Sequence, residues 1–210
     1  MTENDILRAG EDTLPAEESM LRAETYAERE RLAALLAGLS PQQWAAPSLC
    51  AGWRVREVVA HMTMPYRMAS AEEFQAALAA YGMDFDRYAD AEAHDTTERL
   101  GDAELLAVYR DNVRHPWQPP GGGAAGALSH EVIHGLDITE ALSLPTVPAE
   151  RIAQVLAHAG AKNLAYFGTD LSGISLVATD ADVRVGDGTP VPAPVKEILL
   201  GITGRRPLPS

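Results

Sequence analysis

The sequence predicts a mainly α-helical protein, a bundle of helices followed by a short C-terminal β-β-α appendage. Three observations carry that expectation. Apolar residues recur at helical spacing through most of residues 15–164, and a helix bearing paired histidines follows a Pro/Gly-rich loop. At Gly168 the composition changes to short runs that read as strands. The expected organisation is a helical unit over 1–167 carrying the functional site and a short α/β unit over 168–210, too small to stand alone.

Residues 1–12 are polar and irregular, as expected of a frayed tail. A long helix is expected from Pro15 to about Ala37, with Thr13 as its cap and Pro15 in its first turn. Leu21, Leu32, Leu35 and Leu36 supply its apolar side. Arg22, Glu24, Glu28, Arg29 and Glu30 read as a solvated charged face without chemistry. Ser40-Pro41-Gln42-Gln43-Trp44 reads as a cap and one helical turn. The loop Ala46–Trp53 is rich in turn formers and large apolar anchors, so it must pack on a core. A second long helix opens near Arg54. Val55, Val58, Val59 and Met62 form its stripe, His61 falls on the half-exposed flank, and Pro65 should kink or interrupt it. Helical character resumes over Ala71–Tyr81, and residues 83–114 hold two more helices split near Gly101, with an acidic first turn at Asp102 and Glu104.

The stretch from Arg114 to Gly123 cannot be regular structure, and it either borders a pocket or merely links. Ala124–Leu142 is the histidine helix. Pro148 starts another, with Ile152, Val155, Leu156, Ala159 and Leu164 on its apolar side. Gly173–Thr179 and Asp182–Val185 read as a hairpin, and Pro194–Ile202 as a last helix.

Bulk properties exclude several functions. A net charge of −13 leaves no basic surplus for a phosphate backbone or an anionic membrane surface. No apolar run approaches the ~20 residues of a spanning helix, and Met1–Asp5 lacks the character of a secretion signal, so a cytoplasmic protein is expected, monomeric or homodimeric. The single Cys50 excludes an internal disulfide and a thiolate cage, and reads as a small buried hydrophobe. Any metal site must therefore use histidine and carboxylate.

On the histidine helix, His130 and His134 stand one turn apart on one stripe, able to share an ion. Asp137 continues that stripe and could orient a ring from behind. A third ligand has to come from elsewhere, and His61 is the candidate. His130-Glu131-Val132-Ile133-His134 also fits the metalloprotease string, which makes Glu131 a candidate general base. The third ligand placed as those proteases need it is missing, so a metal-dependent hydrolase ranks second. Trp53 and Trp117 are the candidate cofactor contacts.

Leu39-Ser40, Trp44 and the run Pro47-Ser48-Leu49-Cys50-Ala51-Gly52-Trp53-Arg54 through Ala60-His61-Met62 resemble the signature of the mycothiol-dependent maleylpyruvate isomerase family. Glu131 to Asp137 resembles its second metal helix, and Ala178 to Arg206 the end of its C-terminal domain. The resemblance implies a DinB-like metal-binding four-helix bundle, with the metal histidines falling on His61 and His134 and His130 filling the position one turn earlier. It implies a divalent ion, Zn²⁺ being the default for histidine, and mycothiol, a cysteinyl pseudodisaccharide, as thiol cosubstrate for a small electrophile. The thiolate would add to an activated alkene, allow rotation and leave, or remain attached as a thioether. A non-catalytic thiol- or metal-binding accessory protein is the remaining alternative. The C-terminal unit is shorter than the family's usual domain, and Arg205 and Arg206 are the candidates there for a substrate carboxylate, with Arg206 assigned the catalytic role.

Overall fold

The structure is a computed structural model and describes residues 15–210, so the expected tail and the Thr13 cap lie outside the described residues. Helix α1 (Ala16–Leu36) is followed by the short α2 (Pro41–Trp44), α3 (Val55–Arg67), α4 (Ala71–Ala80), α5 (Phe85–Arg99), α6 (Asp102–Asp111) and the histidine helix α7 (Gly123–Thr139). Packing runs from α1 to α7, α7 to α3, α3 to α6 and α6 back to α1, which closes a ring of four helices. Helices α8 (Ala149–Ala157) and α9 (Ala161–Tyr166) lead to strands β1 (Gly173–Ala178), β2 (Arg184–Val185) and β3 (Gly188–Ala193) and the final α10 (Val195–Ile202). The protein is thus mainly α, a four-helix bundle with a small C-terminal sheet and helix. Among the described residues no helix is long and apolar enough to cross a membrane.

Local signals account for many boundaries. Ser40 and Gln43 form a reciprocal capping box at α2. The side chains of Ser70 and Asp84 cap α4 and α5. Pro65 does not interrupt α3, which runs on to Arg67; the Arg67 guanidinium folds back and donates to the Ala60 carbonyl at 2.8 Å. Gly160 divides the expected single helix after Pro148 into α8 and α9.

The appendage holds one strand more than expected. β1 is central, with β2 antiparallel on one side and β3 parallel on the other. Pro190 and Pro192 hid β3, because proline argues against a strand. They are tolerated on an edge strand, where alternate N–H positions face away from the ladder. Gly188, at φ +139°, begins β3 so close to Gly173 that an added Cβ would lie 2.4 Å from backbone atoms.

Helix α7 is the shared wall of the molecule. Leu128, Val132 and Leu136 pack with Leu156, Leu176 and Ile198 of the C-terminal elements. Ile138 joins Leu32, Leu36, Val58, Val59, Leu105 and Tyr109 inside the bundle. Gly135 lets α1 approach: a Cβ there would meet the Leu32 side chain at 3.1 Å and a Glu28 oxygen at 3.2 Å. A glycine inside a helix costs about 1 kcal/mol against alanine, and close packing is what it allows in return.

The expected solvated charged face of α1 is corrected by this packing. Glu28 and Arg29 are fully buried. Glu28 accepts from Arg31 and from Arg151 of α8, the latter at 2.8 Å. Arg29 donates from Nε to Glu131 at 2.8 Å and from Nη1 to the His115 carbonyl at 2.6 Å. Because α1 packs against α6 and α7 as well as facing solvent, its charged flank is carried inside, where each charge needs a partner. Removing one partner strands the other, so Arg29→Met is expected to lower stability by about 3–5 kcal/mol in urea unfolding. A loss below about 1 kcal/mol would contradict the buried pair.

Candidate functional site

The Ala46–Trp53 loop is held against the bundle from both ends. Pro47 and Arg54 form an isolated β-bridge, Ser48 Oγ accepts from the Cys50 amide, and the Leu49 amide donates to the Asp137 carbonyl of α7 at 3.0 Å. The loop therefore fixes where α3 begins relative to α7. His61, two turns into α3, then faces His130 and His134 on α7.

His61 is buried, 5% exposed, not half-exposed as its flank position suggested. The flank that looks away from the helix's own stripe looks onto α7. Ring centroids lie 4.8 Å apart for His61–His134 and His130–His134 and 5.3 Å apart for His61–His130. One nitrogen from each of the three falls within 4.8 Å of the others, close enough to converge on one ion. Nδ1 of His61 and of His130 are buried without a hydrogen-bond partner. A buried imidazole nitrogen without a partner, that of His61, beside two further rings is what a histidine metal site presents. Burial, reinforced by the neighbouring imidazoles, lowers the pKa of His61 well below its ordinary value. Burial lowers His134 as well, even against the opposing pull of Asp137. Neutral rings are the form that ligates.

Asp137 stands behind this cluster, not in it. Its Oδ2 lies 3.0 Å from Nδ1 of His134, which directs the other nitrogen of that ring toward the cluster. Arg205 grips the same carboxylate, with Nε 2.9 Å from Oδ1 and Nη2 3.0 Å from Oδ2. Burial would raise the Asp137 carboxyl, but His134 and Arg205 outweigh it and hold it below its usual range. Asp137 is thus placed to position a histidine, and it does not line the cavity next to the cluster.

That cavity, about 1050 Å³, is walled by α3, α5, the Pro/Gly-rich loop, α7 and the C-terminal elements. The Trp53 and Trp117 side chains both line it, each centred 5.2 Å from a histidine ring, His61 and His130 respectively. The 114–123 loop therefore borders a pocket. Cys50 also lines the cavity, half-buried, its thiol pushed up to about 11 by burial and by Asp137.

Two expected roles meet a different geometry. Glu131 points into the bundle, fully buried, with Arg29 on Oε1 and the Tyr109 hydroxyl donating to Oε2 at 2.8 Å. Burial alone would raise its carboxyl; His130, 3.7 Å away, and Arg29 outweigh that and hold it at about 2. A carboxylate so occupied and so acidic is a poor general base, so the geometry argues against that role. Arg206 bonds Glu197 at 2.6 Å and Glu140 at 2.8 Å and does not line the cavity. Its neighbour Arg205 does. An arginine pair at the end of a helix gives no signal in the sequence for which member turns inward, and Asp137 on another helix decides it.

The fold and site define a helical-bundle protein with a three-histidine cluster on a large internal cavity. Residues 26–117 match the family model described as the mycothiol maleylpyruvate isomerase N-terminal domain, which bears out the resemblance over that segment. The segment includes α3 with His61 and ends at Trp117, before α7. Two solved structures, the mycothiol-dependent maleylpyruvate isomerase and a histidine-to-alanine mutant of it, align with this chain. Each aligns over 92% of this chain and 90% of its own at 16% identity, with a TM-score of 0.49. No curated protein matches the chain.

Glu131 and Asp137 both have folded-state pKa values below their unfolded values. Their contribution to stability is therefore complete above the ordinary carboxyl pKa and is lost as pH falls through the folded values, for Glu131 from about 4.5 toward about 2. Denaturant unfolding is expected to weaken steadily below about pH 4.5, and Glu131→Gln, lacking that titration, should show a shallower fall from a lower starting stability. Identical slopes would contradict the assignment.

Proposed function

We propose that the chain is an enzyme that uses mycothiol on an electrophilic small molecule, by cis-trans isomerisation or by S-transfer, at a divalent metal held by His61, His130 and His134. The convergence of three imidazoles from two helices on the wall of one large cavity carries this reading. The family of residues 26–117 supports the choice of thiol. A divalent ion held by three imidazoles keeps an open position and, when bound, favours the thiolate form of a thiol ligand at neutral pH. Zn²⁺ is the default for an all-histidine set.

The chain's own residues have separable tasks. His61 from α3 and His130 and His134 from α7 bind, so the site exists only while the two helices keep their spacing. Asp137 fixes the tautomer of His134, and Arg205 keeps Asp137 ionised and in place. Trp53 and Trp117 flank the cluster as flat apolar walls and exclude water from the thiol. Glu131 keeps α7 in register against α1 through Arg29. A hydrolase using Glu131 as base gains nothing from this arrangement, since both its oxygens are engaged away from the cavity.

His61→Ala and His134→Ala, being distant in sequence and both on the cluster, are expected to abolish stoichiometric metal in the purified protein together with any mycothiol-dependent turnover. Asp137→Asn should retain the ligands but weaken metal affinity by about 10–100-fold. Full metal content and activity in His134→Ala would refute the proposal. Metal binding without turnover of maleylpyruvate or any electrophile would favour a non-catalytic binding protein.

A further inference from the structure

We propose that His115, on the Pro/Gly-rich loop, is a further catalytic residue: its Nε2–H donates to the carbonyl oxygen that activates the electrophile, where charge collects as the thiol adds. The inference rests on the thiol chemistry of the preceding section. His115 lines the cavity but stands outside the three-histidine cluster, and nothing in the metal site uses it.

Three contacts hold this residue. The Trp117 amide donates to its Nδ1 at 3.1 Å. An imidazole nitrogen that accepts carries no proton, so in the neutral ring the proton sits on Nε2. Arg29 Nη1 donates to the His115 carbonyl at 2.6 Å from inside the bundle. Tyr66 of α3 packs on the ring, with centroids 5.1 Å apart, and the Arg29 guanidinium lies 5.5 Å from the Tyr66 ring centre. The loop, α1 and α3 thus fix one tautomer and one ring plane. With Nδ1 turned to its own loop, the edge left to the open side of this half-buried ring is the donor edge. Burial and Arg29 lower the His115 pKa, which favours that neutral form. Trp117, whose amide sets the tautomer, packs its indole 5.2 Å from the His130 ring, so donor and cluster border the same cavity wall.

Other donors on the wall are held less well or spent elsewhere. Arg205 is committed to Asp137 and the Thr203 carbonyl. The Gln118 amide reaches Glu18 at 3.5 Å, and Tyr166 is 68% exposed. The Ser129 hydroxyl is a rotor. A donor fixed before the reaction stabilises developing charge without reorganising, which is the property His115 has.

The step balances as follows. The sulfur–carbon bond forms at the alkene and the π pair passes to the carbonyl oxygen, which accepts from His115 Nε2–H. The former double bond rotates, the pair returns, and sulfur leaves with its electrons, so no proton is consumed. In S-transfer the sulfur stays and the neighbouring carbon takes the proton that the thiol gave up. Nothing is oxidised or reduced in either case.

His115→Phe keeps a flat ring and the backbone bond to Arg29 while deleting the donor, and His115→Gln returns an N–H at similar reach. With mycothiol and maleylpyruvate, His115→Phe is expected to lower kcat about 10- to 100-fold, with KM within about threefold and with metal content and Tm unchanged. His115→Gln should recover most of that loss. In the unaltered full chain, nitrogen-labelled histidine spectra should show the His115 Nε2 resonance, identified by its absence from His115→Phe, shifting when saturated and unreactive succinylpyruvate is added. Undiminished kcat in His115→Phe, or a resonance indifferent to that analogue, would overturn the inference and leave the thiol-enzyme reading standing. A loss of kcat that comes with lost metal, or that glutamine does not relieve, would overturn it too. Absence of thiol-dependent turnover in the unaltered protein would sink both.

Discussion

A helix covered on every side must find a partner for each of its charged side chains, and α7 is such a helix. Its sequence from Ala124 to Thr139 is apolar apart from Ser129, His130, Glu131, His134, Asp137 and Thr139. With α1 on one side, α3 on another and the C-terminal elements on a third, the carboxylates and imidazoles are directed to different neighbours. Glu131 goes to Arg29 and Tyr109, Asp137 to Arg205 and His134, and the two histidines to His61 and the cavity. An unpaired charge at any of these positions would cost several kcal/mol, so the arrangement also specifies the rotation of α7 about its axis. That rotation is what places His130 and His134 toward α3.

The cluster is therefore supported from both ends of the molecule. The Arg29–Glu131 pair ties α7 to α1, while its second bond, to the His115 carbonyl, ties the same arginine to the loop that carries Trp117. The Asp137–Arg205 pair ties His134 to the chain's last turns after α10. Arg205 follows the cap of α10, whose Ile198 and Leu199 pack into the same core as Leu128 and Val132 of α7. The C-terminal unit thus reaches the site through one guanidinium, and its hydrophobic packing is what brings that guanidinium into place.

Much of this was legible in the sequence because it depends on local spacing. Most helices, the cap at Ser40, the breaks near Gly101 and Gly168 and the one-turn pairing of His130 with His134 follow from period and from residue chemistry over a few positions. His61 is legible as the third partner only through the resemblance, since its own helix pattern argues for half-exposure. What failed was whatever depends on a distant element. Arg29 and Glu28 read as surface charges because nothing near them in sequence announces Glu131, 102 positions away, or Arg151. Nothing local tells Arg205 from Arg206, because Asp137, which Arg205 holds, lies 68 positions away. β3 was missed because Pro190 and Pro192 deny a strand unless it is known to be an edge.

Holding three imidazoles in apolar surroundings carries a cost in folding. Buried ring nitrogens without partners, a large cavity and a glycine in mid-helix each lower stability. The buried ion pairs offset part of this only weakly, since desolvation consumes most of their Coulomb gain. Their larger effect is on specificity, because Arg29 and Arg205 penalise any packing of α7 that leaves Glu131 or Asp137 unpaired. The same burial that lowers the pKa of His61 and His134 keeps them neutral and able to ligate. A more solvated site would make folding easier but would favour the protonated rings that cannot bind a cation. The apolar wall is thus a condition for the site as much as a container for its substrate.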